Sequence, residues 1–283
     1  MAPEPSNAAK SAKTPKQLAA EARAASEAAE RRRERTIRII GSIAVVLIVG
    51  GLLAVGFFAR QSGDTGASAA PAPTPNPSAP APKGVQTTTW GVPYGTGWTS
   101  PDEAKLPTME IWEDFQCPFC AQFEQAAGKQ IEALAEAGKV KLLYRPAIFL
   151  DQSLAAKNAA AGNPNSSARA TNAWGCAIDQ DKTAEYHNAV FAAAPSAADE
   201  GKGYSEQQLL ELGTQVGVAD QAAFTKCVQD GTYLAWAANS NQVFLDENIG
   251  GTPKVLLNGT EIQTAEFADM AAIEAKIAAA TAQ

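Results

Sequence analysis

Two cysteines separated by two residues, Cys117 and Cys120, constrain this chain more than any other feature. An apolar run that ends at Trp112 precedes them, and apolar residues at steps of three and four follow them, so the pair is expected where a strand gives way to a helix. Pro118 supports this placement, because proline fits the first turn of a helix, where its missing N–H would have no partner. The free N–H groups at a helix N-terminus stabilise an anion. We therefore expect Cys117 to be the reactive, easily ionised thiol and Cys120 its resolving partner.

A metal site is the alternative use of such a pair. A structural zinc site needs four ligands, which commonly come as two closely spaced pairs. The other two cysteines, Cys176 and Cys227, lie far apart in the sequence, and His187 is the only histidine. This favours redox chemistry, and we predict no metal and no cofactor beyond a redox-active disulfide. We expect His187 itself on a helix surface or in packing rather than in catalysis.

The first 83 residues differ in composition from the rest of the chain. Residues 1–38 carry nine Lys and Arg against five Asp and Glu and have no apolar stripe, which predicts a solvated tail. The 21 residues of 39–59 contain no charge, and as a helix they would extend about 31 Å, the thickness of a bilayer core. We predict a single transmembrane helix over 39–60 and a semi-stiff, Pro- and Ala-rich linker over 61–83.

The charges around the apolar segment predict its orientation. Five arginines lie between 31 and 38 on its N-terminal side, whereas Arg60 stands alone on the other side. By the positive-inside rule the tail is cytoplasmic and everything after residue 60 is extracytoplasmic, attached to the cell membrane. A cleaved signal peptide is the competing interpretation, but its charged region would be far longer than usual.

The rest of the chain is acidic. The totals of 23 basic and 30 acidic residues leave 14 basic and 25 acidic residues for 39–283. This balance speaks against nucleic acid as a partner.

The 200 residues from 84 to 283 are enough for one well-cored domain of alternating strands and helices. Strands are predicted at 85–90 on an edge, and at 108–114, 140–144, 254–257 and 260–263. The last two strands flank Asn258 and Gly259, a strong hairpin signal. Helices are predicted at 118–137, through most of 166–249, and at 265–279. Gly128 lies inside the first of these helices, where glycine costs about 1 kcal/mol relative to alanine, and the sequence offers no reason for it.

This order of elements resembles the thioredoxin superfamily. The most specific parts of the resemblance are the segments Asp114-Phe115-Gln116-Cys117-Pro118-Phe119-Cys120 and Gly251-Thr252-Pro253. The helical stretch at 165–250 is similar to the insertion of the DsbA-type branch, and with an anchor in front the chain looks like the membrane-tethered DsbA-like proteins of actinobacteria. The resemblance covers about residues 105–280. It implies an α/β thioredoxin fold with an inserted α-helical subdomain.

The resemblance also implies an activity. The protein would oxidise cysteine pairs of secreted or unfolded proteins, and a membrane partner of the DsbB or VKOR type would reoxidise it. Pro253 is expected to be cis and to face the cysteine pair, with the backbone of Thr252 available to an extended substrate segment. Cys176 and Cys227 would form a structural disulfide, for which a second redox relay or two free thiols are the alternatives.

The chain departs from the family pattern at two positions. Phe119 stands where DsbA has a histidine, so this position lacks a side-chain donor for the thiolate and the pair is expected to be less strongly oxidising. Ile111 stands where the family usually has an acidic residue, six places before the first cysteine. Glu110, Glu113 and Asp114 are the candidates to replace it as a proton relay, or are ordinary carboxylates at a strand end. A reductase or isomerase, and a non-catalytic peptide-binding module, remain alternatives.

Overall fold

The structure, a computed structural model, describes residues 71–195 and 199–281. Within these ranges no helix is both long and apolar enough to cross a membrane. The predicted cytoplasmic tail, the transmembrane helix predicted at 39–60 and residues 61–70 of the linker lie outside the described residues.

A five-stranded sheet organises the described part of the chain. Its strands are β1 (Val92–Tyr94), β2 (Thr108–Glu113), β3 (Lys141–Pro146), β4 (Lys254–Leu257) and β5 (Thr260–Ile262), in the spatial order β1-β3-β2-β4-β5. Strand β2 is central: it pairs parallel with β3 and antiparallel with β4. Its apolar residues Met109, Ile111 and Trp112 are at most 1% exposed, because layers of helices cover both faces of a central strand.

The helices fall into two groups. Those of the thioredoxin core follow β2 or β5, whereas those that lie between β3 and β4 form the insertion. In chain order they are α1 (Pro118–Phe123), a π-helical turn (Glu124–Gly128), α2 (Lys129–Glu136), α3 (Leu150–Ser153), α4 (Ala155–Ala160), α5 (Ser166–Ile178), α6 (Thr183–Ala192), α7 (Glu206–Gln215), α8 (Gln221–Asp230), α9 (Leu234–Asp246) and α10 (Met270–Thr281). Short 3₁₀ turns lie at Thr96–Thr99, Glu103–Lys105 and Thr264–Ala268.

Helix α5 is the core of the insertion. All of its 13 residues except Arg169 are buried. A helix that is enclosed on every side needs small residues, and its alanines together with Gly175 let the neighbouring helices approach closely. Two of these neighbours begin and end as the sequence predicts. Ser205 forms a capping box at the start of α7, and Asp220 caps α8, which ends at Gly231 in the left-handed conformation.

The structure differs from the sequence-based expectation in three places. The edge strand lies at Val92–Tyr94 rather than at 85–90, because a turn closed by the bridge between Gln86 and Gly91 occupies that stretch. The inserted helices begin at Leu150, ahead of 165, in two pieces too short to show a helical period.

The third difference concerns the linker. From Asn76 onward the predicted spacer lies along the insertion. The backbone N–H of Asn76 donates to Asn239 Oδ1 at 2.7 Å, and the backbone carbonyl of Asn76 accepts from Asn239 Nδ2 at 2.8 Å. Pro82 is buried close to Gly175, where a Cβ would come within 2.9 Å of its ring. The prolines and alanines predict an extended chain, but only the docked partners show that this part of it belongs to the domain surface.

A disulfide between Cys176 and Cys227 joins α5 to α8. It closes a loop with a sequence separation of 51 residues within the insertion. Cross-linking a chain lowers the entropy of its unfolded state, and a loop of this size corresponds to about 4 kcal/mol.

We predict that the double variant Cys176→Ala/Cys227→Ala loses about 4 kcal/mol of unfolding free energy. Urea unfolding of both proteins without reductant, followed by fluorescence, measures the difference. The variant should keep its exchange activity under conditions where it is folded, because its redox pair is intact. A loss below about 1 kcal/mol would contradict the prediction.

Candidate active site

The cysteine pair lies where β2 hands over to α1. Cys117 is the N-cap of the helix and Pro118 its first residue, as the spacing predicts. Cys120 is one turn further along and fully buried, while Cys117 is 5% exposed. Both thiols are free, so the structure represents the reduced form.

The loop before β4 meets the pair from the neighbouring strand. Trp112 of β2 and Lys254 of β4 are the last partners of the antiparallel register, so the residues beyond them meet at the same edge of the sheet. The Thr252–Pro253 peptide bond is cis. The Cys117 sulfur lies 3.4 Å from the carbonyl oxygen of Thr252, to which it donates while it is protonated. The structure thus brings Cys117, Cys120, Thr252 and Pro253 together.

The two sulfurs have opposite electrostatic environments. A hydrogen bond from the Cys120 thiol, helped by the Thr252 side chain and by the backbone N–H groups of Cys120 and Phe119, lowers the pKa of Cys117 to about 6 despite the opposing effect of burial. Burial raises the pKa of Cys120 well above its ordinary value, and the nearby Cys117 adds to this. At neutral pH the site therefore holds a thiolate at the helix tip and a thiol beneath it, which is the arrangement of an attacking and a resolving cysteine.

Phe119 and Trp112 have different roles around this pair. The Phe119 side chain is 49% exposed and presents an apolar surface beside Cys117, although only its backbone N–H helps the thiolate. Trp112 is fully buried and packs edge-on against Phe244, with the Arg145 guanidinium 4.0 Å from the centre of its ring. Trp112 is thus core rather than substrate surface.

The three candidate relay carboxylates point in three directions. Glu110 forms an ion pair of 2.5 Å with Arg145, and Asp114 accepts hydrogen bonds from the insertion. Glu113 is buried, and its charge acts on the cysteine pair, raising the pKa of Cys120. The tertiary structure therefore selects Glu113, four places before Cys117, as the carboxyl group beside the redox pair.

Glu113 belongs to a buried polar cluster with Glu124 and His187. His187 Nε2 lies within hydrogen-bonding distance of Glu113 Oε2, at 3.0 Å, and burial lowers the pKa of His187, which favours its neutral form. Burial raises the pKa of both glutamates well above the usual range. The two carboxyl groups are within hydrogen-bonding reach of each other, and no other donor among the described residues reaches either oxygen of Glu124. Two buried carboxyl groups in contact favour a state with a shared proton over two ionised groups, and Glu113 is the one whose charge acts on Cys120.

The sequence alone did not identify His187 and Glu124 as neighbours of the active site. His187 is 1% exposed and lies in packing among Phe115, Tyr144 and Trp174, not on a helix surface. Glu124 follows Cys120 by four residues, which places both on one face of the helix. That spacing was the one available signal, and it does not distinguish a buried glutamate from an exposed one.

Glu124 also explains Gly128. The helix widens into a π-turn over Glu124–Gly128, and a Cβ on Gly128 would lie 2.1 Å from Glu124 Oε2. The missing side chain leaves the space in which the buried carboxyl group sits. Glycine is therefore required by packing and not by its backbone angles.

Comparison with known proteins agrees with this fold. The thioredoxin family model matches residues 101–275, more than half of the chain, and the chain belongs to the thioredoxin family. Among curated proteins, none matches.

Solved structures similar to this chain share that fold. MdbA of Actinomyces oris, a thiol-disulfide oxidoreductase, is 21% identical with a TM-score of 0.56 over 74% of this chain and 100% of its own. BdbD of Bacillus subtilis is 17% identical with a TM-score of 0.55 over 75% of this chain and 100% of its own. DsbA of Mycobacterium tuberculosis, in its oxidised form, is 23% identical with a TM-score of 0.51 over 68% of this chain and 98% of its own. At these identities the similarity shows the fold alone, and the predicted α/β thioredoxin fold is confirmed.

We predict that the reduced protein gains stability over the oxidised protein as the pH rises. The pKa of Cys117 is lowered from 9.0 to about 6 by folding, so its contribution is fully present above pH 9 and is lost as the pH falls through 6. Between these limits the difference in unfolding free energy should change by up to about 1.4 kcal/mol per pH unit. Denaturant unfolding of both forms across this range measures it, and ultraviolet absorbance of the thiolate gives the pKa directly. Half-ionisation at the ordinary thiol value would contradict the prediction.

We predict that Gly128→Ala destabilises the protein. In an ordinary helix this change stabilises by about 0.5–1 kcal/mol, but here the new methyl group displaces the carboxyl group of Glu124. Urea unfolding should show a loss of about 1 kcal/mol or more. In the background Glu124→Ala the obstacle is gone, and the same substitution should then stabilise. A gain in both backgrounds would contradict the packing role.

Proposed function

We propose that this protein is an extracytoplasmic thiol–disulfide oxidoreductase that oxidises cysteine pairs in secreted or unfolded proteins. The observation that carries the proposal is the division of charge between the two sulfurs: Cys117 is a thiolate at the helix tip and Cys120 a buried thiol. A stabilised thiolate stabilises the reduced form, and this makes the corresponding disulfide an oxidant. The names of the similar structures, MdbA and DsbA among them, support the same chemistry.

The reaction begins from the Cys117–Cys120 disulfide. A substrate thiolate attacks the Cys117 sulfur, forms a mixed disulfide and displaces the Cys120 thiolate, which takes up a proton. A second thiolate of the substrate then attacks the substrate sulfur of the mixed disulfide and releases Cys117 as a thiolate. The substrate leaves oxidised and the enzyme is a dithiol, so two electrons have passed from substrate to enzyme. When the substrate lacks a second thiol, Cys120 attacks Cys117 and resolves the mixed disulfide.

The neighbours of the pair fit these steps. The low pKa of Cys117 makes it a good leaving group in the second attack. Burial keeps Cys120 protonated at rest, and the shared proton of Glu113 and Glu124 lies close to where Cys120 requires one on leaving. Phe119 offers apolar contact area beside the sulfur, and the Thr252-Pro253 loop lies against Cys117, where an extended segment would pass.

The location and the partners are part of the proposal. The segment 39–60, uncharged up to residue 59, would anchor the chain in the cell membrane with the arginine-rich tail in the cytoplasm and the redox domain outside. Reoxidation would come from a membrane partner of the DsbB or VKOR type. Labelling of single engineered cysteines in intact cells with a membrane-impermeant reagent tests the orientation: residues after 60 should react and residues before 38 should not.

Two other functions are alternatives to the oxidase, and the reduction potential and the Cys117→Ser variant distinguish them from it. Phe119 leaves the thiolate without the side-chain donor that DsbA has, which favours a reductase or isomerase. A peptide-binding module would use the Thr252-Pro253 edge without turnover.

We predict that the full-length oxidised protein in detergent converts a reduced, unfolded cysteine-containing protein to its disulfide form. Equilibration with glutathione should give a reduction potential nearer about −120 mV than about −270 mV. Cys117→Ser should abolish turnover. Reduced Cys120→Ser, mixed with a disulfide-bonded substrate, should accumulate mixed disulfides, because Cys117 attacks the substrate disulfide and no second cysteine resolves the product. A potential near about −270 mV would indicate a reductase rather than an oxidase. If the wild-type protein showed no turnover and Cys117→Ser bound unfolded protein as the wild type does, only the binding module would be left.

A further inference from the structure

The inserted helices hold each of the three residues that lead into Cys117. Asp114 accepts from Ser167 Oγ at 2.6 Å and from the N–H of Leu150 at 3.1 Å. The carbonyl of Phe115 accepts from the Tyr204 hydroxyl at 2.7 Å. The segment just before the reactive sulfur is thus attached to the insertion residue by residue.

Gln116 makes the densest of these attachments. Its side chain is buried, and Nε2 donates to Asp151 Oδ1 and to Ser167 Oγ, both at 2.8 Å. Its Oε1 accepts from Asn158 Nδ2 at 2.8 Å. The partners come from α3, α4 and α5, so one amide ties together three helices of the insertion. Asp151 in turn accepts the first N–H groups of α5, from Ser167 and Ala168, which fixes its carboxylate.

This network controls geometry at the adjacent residue. Gln116 and Cys117 share a peptide bond, and the Gln116 N–H and the Cys117 N–H both return to Asp114, at 2.9 and 2.8 Å. The Cys117 thiolate is stabilised where its sulfur meets the Cys120 thiol, the Thr252 side chain and the N–H groups at the start of α1. A small rotation of the Gln116 backbone would move it away from them. A buried amide with all its partners present resists that rotation, because each broken hydrogen bond leaves a buried polar group unpaired.

We propose that Gln116 is a positioning residue for the redox reaction: through its side-chain amide, the insertion holds Cys117 at the place where the helix tip stabilises its thiolate. The proposal deepens the proposed function and rests on it. Gln116 touches neither the substrate nor the reacting sulfurs. Gln116 acts by fixing the angle at which the segment 114–117 enters α1. Through Gln116 the insertion has a role in the chemistry besides covering the sheet.

The test compares two glutamine variants of the full-length protein. Gln116→Met keeps the length and volume of the side chain and removes every hydrogen bond of the amide. The matched control is Gln180→Met, because Gln180 also lies in the insertion and bridges both backbone groups of Asp220, at 2.9 and 2.7 Å, away from the redox pair. For each protein we would measure urea unfolding, the pKa of Cys117 from thiolate absorbance, and the rate of exchange of the reduced protein with glutathione disulfide.

Both variants should lose stability, but only Gln116→Met should change the chemistry. We expect its Cys117 pKa to rise by about one unit, and its exchange rate below that pKa to fall about tenfold. Gln180→Met should keep the wild-type pKa and rate. A Gln116→Met protein that is less stable but has the wild-type pKa and rate would overturn the proposal, since a merely structural residue behaves in that way.

A second variant covers the case in which Gln116→Met does not fold. Asn158→Ala removes the donor to Gln116 Oε1 from outside the loop, and it should shift the Cys117 pKa in the same direction by a smaller amount. An unshifted pKa in folded Asn158→Ala would then overturn the proposal. Failure of the proposed function looks different: the wild-type protein itself would not exchange with glutathione disulfide.

Discussion

The structure depends on the interaction between one sulfur and the open end of one helix. Cys117 caps α1, where N–H groups without helical partners converge on it, and the Cys120 thiol adds a further donor. The Thr252 side chain is a third source of stabilisation, so the thiolate does not need a side-chain donor at position 119. The remaining features of the site follow from keeping this helix end in place: the cis Thr252–Pro253 loop faces it from β4, and the central strand β2 delivers the chain to it.

The insertion contributes to the site through buried polar groups at its contact with the thioredoxin core. One cluster joins Glu113 of β2 to His187 of α6, and the other joins Asp114 and Gln116 to α3, α4 and α5. Apolar packing alone would allow the insertion to slide, whereas paired polar groups in a low-dielectric interior permit one register. The insertion thus both encloses the pair and orients the chain that presents it.

Much of this organisation could be predicted from the residues. The Cys-x-x-Cys spacing, the proline after the first cysteine, the hairpin at Asn258 and the caps of α7 and α8 are local signals, and each was found where it was expected. The edge strand was misplaced because a turn carries similar residues, and two short helices were missed because four to six residues do not show a period. Gly128 could not be understood because the group that requires its missing side chain is a buried carboxyl.

The sequence by itself determined the chemistry: two cysteines at helix spacing, a proline to start the helix and an uncharged segment ahead of the domain are written in consecutive residues. The tertiary structure decided which of three neighbouring carboxylates lies beside the cysteine pair, and it buried the lone histidine against that carboxylate. It also decided that Gln116 is held by residues 35 to 51 positions further along the chain. The physical reason is that charge and hydrogen bonding act through space. Alternation along a strand tells which side a residue faces, but the burial that shifts a pKa and the partner that satisfies an amide come from chain segments brought together only by folding.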